Sequence, residues 1–395
     1  MGDNTPKKME RVLRDPRPLR ELDATSRGGV SIRSPWPGGR GDGRRSGRSI
    51  APGPATGKIA AQRTIPTMQT RGPFAVNESG RALAFDARKQ TLTWISSDGE
   101  TEALVCERQV KGFLPFLTKT VHACGTAPIL LAEKKVLTQD GNNLYVHVGP
   151  SVSLVETVGS PWIAGLGTIV MPGLERGLRA VELDAPHKHL WDLDVSRKTG
   201  GIAYSEGAQL VIVTCADTAG RSSIRRHDIA TNKAGETLVV EDAEGAEVVV
   251  GPGGVAYASF TRSLAAGDVN GQLLWRKPLE SRPVALAGAD SSVLICEAAK
   301  DSLTDVRMRA IDATNGNELW QSNDQKLVGH PKIDSRGFVY WRRGEDLLCL
   351  DPRTGVPVFT LAVGDGEWDF AFSGKGHAII LKASLIGGTE FITIE

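Results

Sequence analysis

His187-Lys188-His189 is the stretch of this chain whose residue types come nearest to metal chemistry. On a strand, residues two apart point to one face, so the two imidazoles would form half of a metal site. No second pair with suitable spacing completes it, and a solvated turn is the favoured reading. His122-x-Cys124 is weaker still. His227-Asp228 has the makings of an acid/base pair, yet neighbours on a strand face opposite ways. No G-x-S-x-G elbow occurs, and "PATGKIA" lacks the hydroxyl and spacing of a phosphate loop. Cys106, Cys124, Cys215, Cys296 and Cys349 include no adjacent pair and no C-x-x-C. Four of them lie in or beside apolar runs, which reads as buried reduced thiols rather than a disulfide framework or a zinc site. The residues therefore predict no catalytic group, no cofactor ligand and no metal ligand.

Charge divides the chain. Residues 1–70 hold fourteen Lys and Arg against six Asp and Glu, and the remainder holds 33 against 40. A basic arm on an acidic body can dock on that body or reach an acidic partner. Residues 1–57 include "RSPWPGGRGDGRRSGRSIAPGPATG", whose Gly, Pro, Arg and Ser bury too little apolar surface to offset ordering entropy, so a disordered arm is expected there. "GRGDGRRSGR" resembles arginine–glycine segments that bind RNA, but it is short, has one nearby aromatic (Trp36) and carries Asp42. Nucleic acid is not the expected partner. The N-terminal residues lack an apolar signal core, and no run approaches the length of a membrane span, so a cytoplasmic protein without membrane contact is expected.

From residue 58 onward short apolar runs alternate with turn clusters, without helical period. Stacking the segments by their turns exposes a repeat. "RMRAIDATNGNELW" has Asp312 four residues before Gly316 and ends at Trp320; "DLLCLDPRTGVPVF" has Asp351 and Gly355 at the same separation and ends at Phe359. "SLAAGDVNGQLLW" is one residue shorter, from Asp268 through Gly271 to Trp275. "RAVELDAPHKHLW" ends at Trp191 without the glycine, and "IRRHDIATNKAGETLVV" is a weaker copy around Asp228. A second pattern of strand, glycine turn and strand precedes the turns, giving four strands in about forty residues. That is the length of a β-propeller blade. Eight third-strand candidates fall near residues 94, 146, 182, 226, 266, 310, 349 and 393; the first two are poorly spaced, which leaves seven blades as the alternative.

The signature A-I-D-x-x-x-G-x-x-L-W, carried by Ala310, Asp312, Gly316, Leu319 and Trp320, resembles the blade motif of the quinoprotein-like propellers, the family of pyrroloquinoline-quinone dehydrogenases. The resemblance implies an all-β single propeller of four-stranded antiparallel blades over residues 58–395. It also implies a blade-docking role, by which Trp275 and Trp320 wedge against adjacent blades. Asp268, Gly271, Asp351 and Gly355 are the corresponding turn residues. Residue chemistry agrees: Asp before a tight turn bonds backbone amides two residues on, and Gly accepts positive φ. Two Trp-Asp dipeptides, at 191 and 368, suggest a WD repeat, but the thirty-nine-residue spacing and the single Gly329-His330 speak against it. A quinone enzyme of this family would need Ca²⁺ held by oxygen ligands, an Asp base and commonly a disulfide between adjacent cysteines; none is evident, and no cofactor is expected.

The expected function is non-enzymatic. A monomeric propeller would present its broad faces to a protein partner of unstated identity. A ligand-binding or catalytic central channel and an envelope protein-assembly factor are the alternatives. The chain reaches Glu395 one strand short of a complete last blade. An open edge of that kind invites aggregation, so Ile59 to Ile65 is predicted to supply the missing outer strand against residues 389–395. On that reading, loss of residues 1–57 leaves stability nearly unchanged, while loss of 1–69 lowers it sharply.

Overall fold

The computed structural model describes residues 49, 51–104, 251–298, 306–322, 327–384 and 387–395 without interruption, and between 106 and 250 mainly the strands and their flanks. The arm residues 1–48 lie outside the described residues. Among the described residues are eight four-stranded antiparallel sheets and one two-stranded hairpin. The hairpin pairs Glu107–Lys111 with Thr118–His122, between the first two blades. Helical structure is confined, among the described residues, to the 3₁₀ turn Pro252–Gly254.

Every sequence-derived third strand falls inside an observed one. They are Thr91–Ile95, Asn143–Val148, Leu178–Glu182, Ser222–Asp228, Ser263–Gly267, Val306–Asp312, Asp346–Leu350 and Thr389–Ile394, in blades 1 to 8. The described residues thus form eight blades. Successive blades touch through their innermost strands, as Gly245–Val250 touches Pro283–Gly288 and Pro283–Gly288 touches Leu327–Ile333. Both surfaces of each inner sheet are therefore covered, which is why these strands read as near-continuous apolar runs rather than strict alternations. Ala82–Asp86 is buried at all five positions. The core lies between blades: Ala310 and Trp320 of blade 6 share one cluster with Val339, Trp341 and Leu348 of blade 7.

Blade 8 is built from both ends of the chain. Trp368–Phe372, Ala378–Ala383 and Thr389–Ile394 are followed in the sheet by Ile59–Ile65, which pairs from Ile59 opposite Ile394 to Ile65 opposite Thr389. The free edge expected at the end of the chain is covered. Residues 51–57, assigned by composition to the arm, differ from that expectation. Gly53 N–H donates to the buried Asp334 carboxylate at 2.8 Å, the Tyr340 hydroxyl donates to Pro54 O at 2.9 Å, and Arg336 donates to Gly53 O at 2.9 Å. Ser49 N–H reaches Ile333 O at 2.7 Å, and Thr56 N–H reaches Glu395 O at 3.0 Å. Composition missed this because the anchoring groups lie some 280 residues away in sequence. A Cβ on Gly53 would sit 2.5 Å from the Tyr340 hydroxyl oxygen, so the close approach needs glycine.

Candidate functional site

The repeat motif forms a seam between blades. Asp312 Oδ1 accepts the amide of Thr314 at 2.8 Å, and Gly316, at φ 73°, returns its N–H to Asp312 O at 3.0 Å. Asp351 and Gly355 repeat this turn, with Arg353 N–H at 2.8 Å from Asp351 Oδ1. Those amide bonds, the Arg353 one foremost, hold the Asp351 carboxyl below its ordinary value. Asp268 caps Asn270 and Gln272 in the shorter turn, and Gly271 N–H bonds Asp268 O.

Each outer-strand aromatic then meets the next blade's turn. Trp275 Nε1 donates to Ala313 O at 3.1 Å, and its ring lies 2.9 Å from where a Cβ on Gly316 would be. Trp320 Nε1 donates to Pro352 O at 2.9 Å, against Gly355 at 2.7 Å by the same measure. The register explains the wedge. Ala266, Ala310 and Cys349 stand opposite Trp275, Trp320 and Phe359, and a bulge follows each pair. Leu319 behaves differently from its neighbours in the motif: it is 44% exposed on the outer strand and docks nothing. The next seam closes on an element the repeat alignment did not include. Phe359 lies 2.4 Å from a Cβ position on Gly57, and Glu395 N–H bonds Lys58 O just as Asp351 N–H bonds Val356 O. Gly57 and Glu395, at opposite ends of the folded chain, thus rebuild one Asp-x-x-x-Gly turn with Glu in the Asp place.

The seam between blades 4 and 5 departs from the rule. Arg226 stands two residues before Asp228, where Ala310 stands before Asp312. The residue is 2% exposed, and its Nε and both terminal nitrogens find no hydrogen-bond partner among the described residues. Burial lowers its pKa, against the field of Asp268. The weak copy around Asp228 showed this Arg-for-Ala exchange in plain sequence.

Among the described residues the histidines join no metal-binding group. His187 lies outside the described residues, and His189 pairs with Asp192 at 3.0 Å on the surface. His227 packs under Trp191, ring centroids 4.4 Å apart. Cys124 lies outside the described residues. Cys106, Cys296 and Cys349 are buried free thiols, and burial pushes Cys349 up to about 12, far from reactivity.

A quinone with Ca²⁺ would draw oxygen ligands from the channel wall, and the donor set does not fit. The innermost strands carry two carboxylates, Glu247 and Asp369. Glu247 accepts Leu286 N–H at 2.9 Å; Asp369 is held by Lys332 at 2.7 Å and by the Phe370 amide. Lys332 also donates to Phe370 O and lies over that ring, and its burial lowers its pKa against the pull of Asp369. No motif announced this pair. Among the described residues no group of three His, Cys, Asp or Glu gathers as a metal set.

On the rim, aliphatic side chains repeat on neighbouring blades. Leu154, Leu190, Val239, Leu273, Leu319, Val356, Val358 and Ile59 are all exposed, on or beside the outer strands of blades 2, 3, 4, 5, 6, 7, 7 and 8. Among the described residues each outer strand pairs along one edge only.

Residues 177–365 match the family model described as outer membrane protein assembly factor BamB. In three dimensions the chain is similar to a europium-containing methanol dehydrogenase, with TM-score 0.59 and 8% identity over 93% of this chain and 99% of that one. It is also similar to the quinohemoprotein alcohol dehydrogenase from Comamonas testosteroni, with TM-score 0.55 and 11% identity over 92% of this chain and 81% of that one. At such identities the likeness is one of fold. No curated protein matches the chain in sequence.

Proposed function

We propose that this chain, a β-propeller of the pyrroloquinoline-quinone-repeat family, is a non-enzymatic scaffold that binds a protein partner along its rim. The exposed aliphatic residues that recur on the outer strands of blades 2 to 8 carry the reading. Single exposed aliphatics are ordinary, but their recurrence on successive blades gives the rim the apolar character of an interface. Its geometry suits an extended apolar segment of the partner, which adds to a free outer-strand edge through backbone bonds and fills the spaces between aliphatics. The channel wall supports the same conclusion, since both carboxylates there are engaged by neighbouring groups.

The buried free thiols support a reducing compartment and hence the cytoplasm. Among the described residues no helix is long and apolar enough to cross a membrane. A second reading, an envelope assembly factor, is favoured by the description of the family matched over residues 177–365. Both place a protein on the propeller; cell fractionation of the native host separates them.

The test compares the full chain with L319D/V358D as affinity baits in native lysate. The scaffold reading requires a protein captured by the native bait and lost with the variant, whose circular dichroism and melting stay unchanged. Equal capture by both baits, or no capture by either, overturns it.

A further inference from the structure

An unpaired strand edge is a template for another strand, and seven of the eight outer strands carry a guard against it. Glu102, Glu156, Asp192, Lys233, Arg276, Glu318 and Arg63 stand on those of blades 1 to 6 and 8. Charges at such positions keep identical edges from pairing with one another. In blade 2, where Glu156 lies near the strand's end, the hairpin strand Glu107–Lys111 also lies against Ser151–Thr157. Blade 7 is the exception. Its outer strand Pro357–Ala362, "PVFTLA", holds no charged residue. Pro357 and the bulge opposite Leu350 interrupt only its start.

The ladder shows what that edge offers. Val363 N–H donates to Glu345 O at 2.9 Å, and the same register sets Leu361 opposite Leu347 and Thr360 opposite Leu348. Residues of an antiparallel strand turn their backbone groups alternately to one side and the other. Leu361 and Val363 therefore bond inward, while Thr360 and Ala362 point N–H and C=O away from the blade. Both are exposed, as is Val358 at 49%. Phe359, Leu361 and Val363 rest, half-buried, on the core cluster between blades 7 and 8.

We propose that blade 7 pairs with blade 7 of a second copy, strand antiparallel to strand, about a two-fold axis at Leu361. In that register the outward groups of Thr360 and Ala362 exchange backbone bonds across the axis. Leu361 meets its own counterpart and Phe359 meets Val363, so every cross-strand pair is uncharged and the strand is complementary to itself. The same pairing in blade 5 would bring Arg276 and Lys277 up to their own charges. Six residues make a small interface, so the dimer forms with rising concentration, and the monomer expected from the sequence is its dissociated state. The proposal does not rest on the scaffold reading.

Analytical ultracentrifugation of the purified full chain tests it, with circular dichroism and melting to confirm the fold of each variant. The native protein should pass from monomer toward dimer as concentration rises to about 1 mM. T360K and T360E each place like charges near the axis and should associate at least about tenfold more weakly. Mixed in equal amounts, they set opposite charges diagonally across the axis and should recover the dimer. T360P removes only an amide that blade 7 itself leaves unused, and should lose the dimer without any added charge. L319K, on the rim of blade 6, should dimerise as the native chain does. A native chain that stays monomeric overturns the proposal. So does dimer that survives in T360K or T360P, that fails to return in the mixture, or that is lost in L319K. With no other protein present, each result judges the second copy alone and leaves the scaffold reading to its own capture test.

Discussion

Replacing Gly57 with alanine isolates the ring closure. Gly57 holds φ at 66°, a region that costs an L-residue roughly 1–2 kcal/mol. Its new Cβ would also fall 2.4 Å from Phe359 Cδ2, within a ring packed against the Tyr340 ring, and overpacking of this kind costs about 1–3 kcal/mol. The expected total is roughly 2–5 kcal/mol. Gly149 supplies the control, since it has φ 55° with nothing within 4 Å of a Cβ, so Gly149→Ala should show the backbone cost alone, about 1–2 kcal/mol. Urea unfolding with an unchanged slope reports both differences. Adding Phe359→Ala to Gly57→Ala should recover the packing part, a coupling of about 0.5–3 kcal/mol for residues in contact. If Gly57→Ala costs no more than Gly149→Ala, Gly57 is not the turn glycine of blade 8 and the split-turn closure is wrong.

Trp320→Ala should cost about 3–5 kcal/mol by the same urea assay, as loss of a buried aromatic does, while Leu319→Ala should stay within about 0.5 kcal/mol. Comparable losses would refute the division of the motif into a docking and a solvent-facing residue. Arg226→Met should stabilise the protein by about 1–3 kcal/mol, because it removes a buried guanidinium with no hydrogen-bond partner among the described residues; a loss of stability would reveal a partner. Asp351, with its carboxyl held below 3.8, contributes stability that is present above that value and lost as pH falls through the lowered native one. Asp351→Asn should therefore flatten the acid limb of the stability curve, and an unchanged limb would dismiss the turn carboxylate as a contributor. Starting the chain at Ser49 should leave the melting temperature unchanged, starting it at Lys58 should lower it by removing the partners of Asp334 and Tyr340, and starting it at Thr70 should bring aggregation from an uncovered strand edge. Identical melting of the first two truncations would reduce the 49–57 segment to an ornament.

The propeller was legible because its information is local and repeated. Asp, Gly and Trp at fixed offsets report a turn that must cap its own amides, admit positive φ and leave room for a ring, and each of those demands acts within about ten residues. Repetition then multiplied a weak signal until even the blade with Phe359 in the Trp place could be aligned. Leu319 shows the limit of that reasoning. Motif membership shows that a position recurs, not which way its side chain points, and a bulge after Ala310 turns Trp320 into the seam and leaves Leu319 in solvent. The 49–57 segment was illegible for the opposite reason. "SIAPGPATG" has the composition of an unstructured tail, and nothing nearby shows that a buried carboxylate, a tyrosine hydroxyl and an arginine wait for its backbone. Its amides and carbonyls are common to any sequence, so the specificity resides in Gly53, where a side chain would strike Tyr340, and in Gly57, where one would strike Phe359. Lys332 and Asp369 are hidden in the same way, since two residues on separate strands become a pair only when blades 7 and 8 meet. Turn chemistry therefore shows in this sequence, while contacts across the ring emerge only with closure.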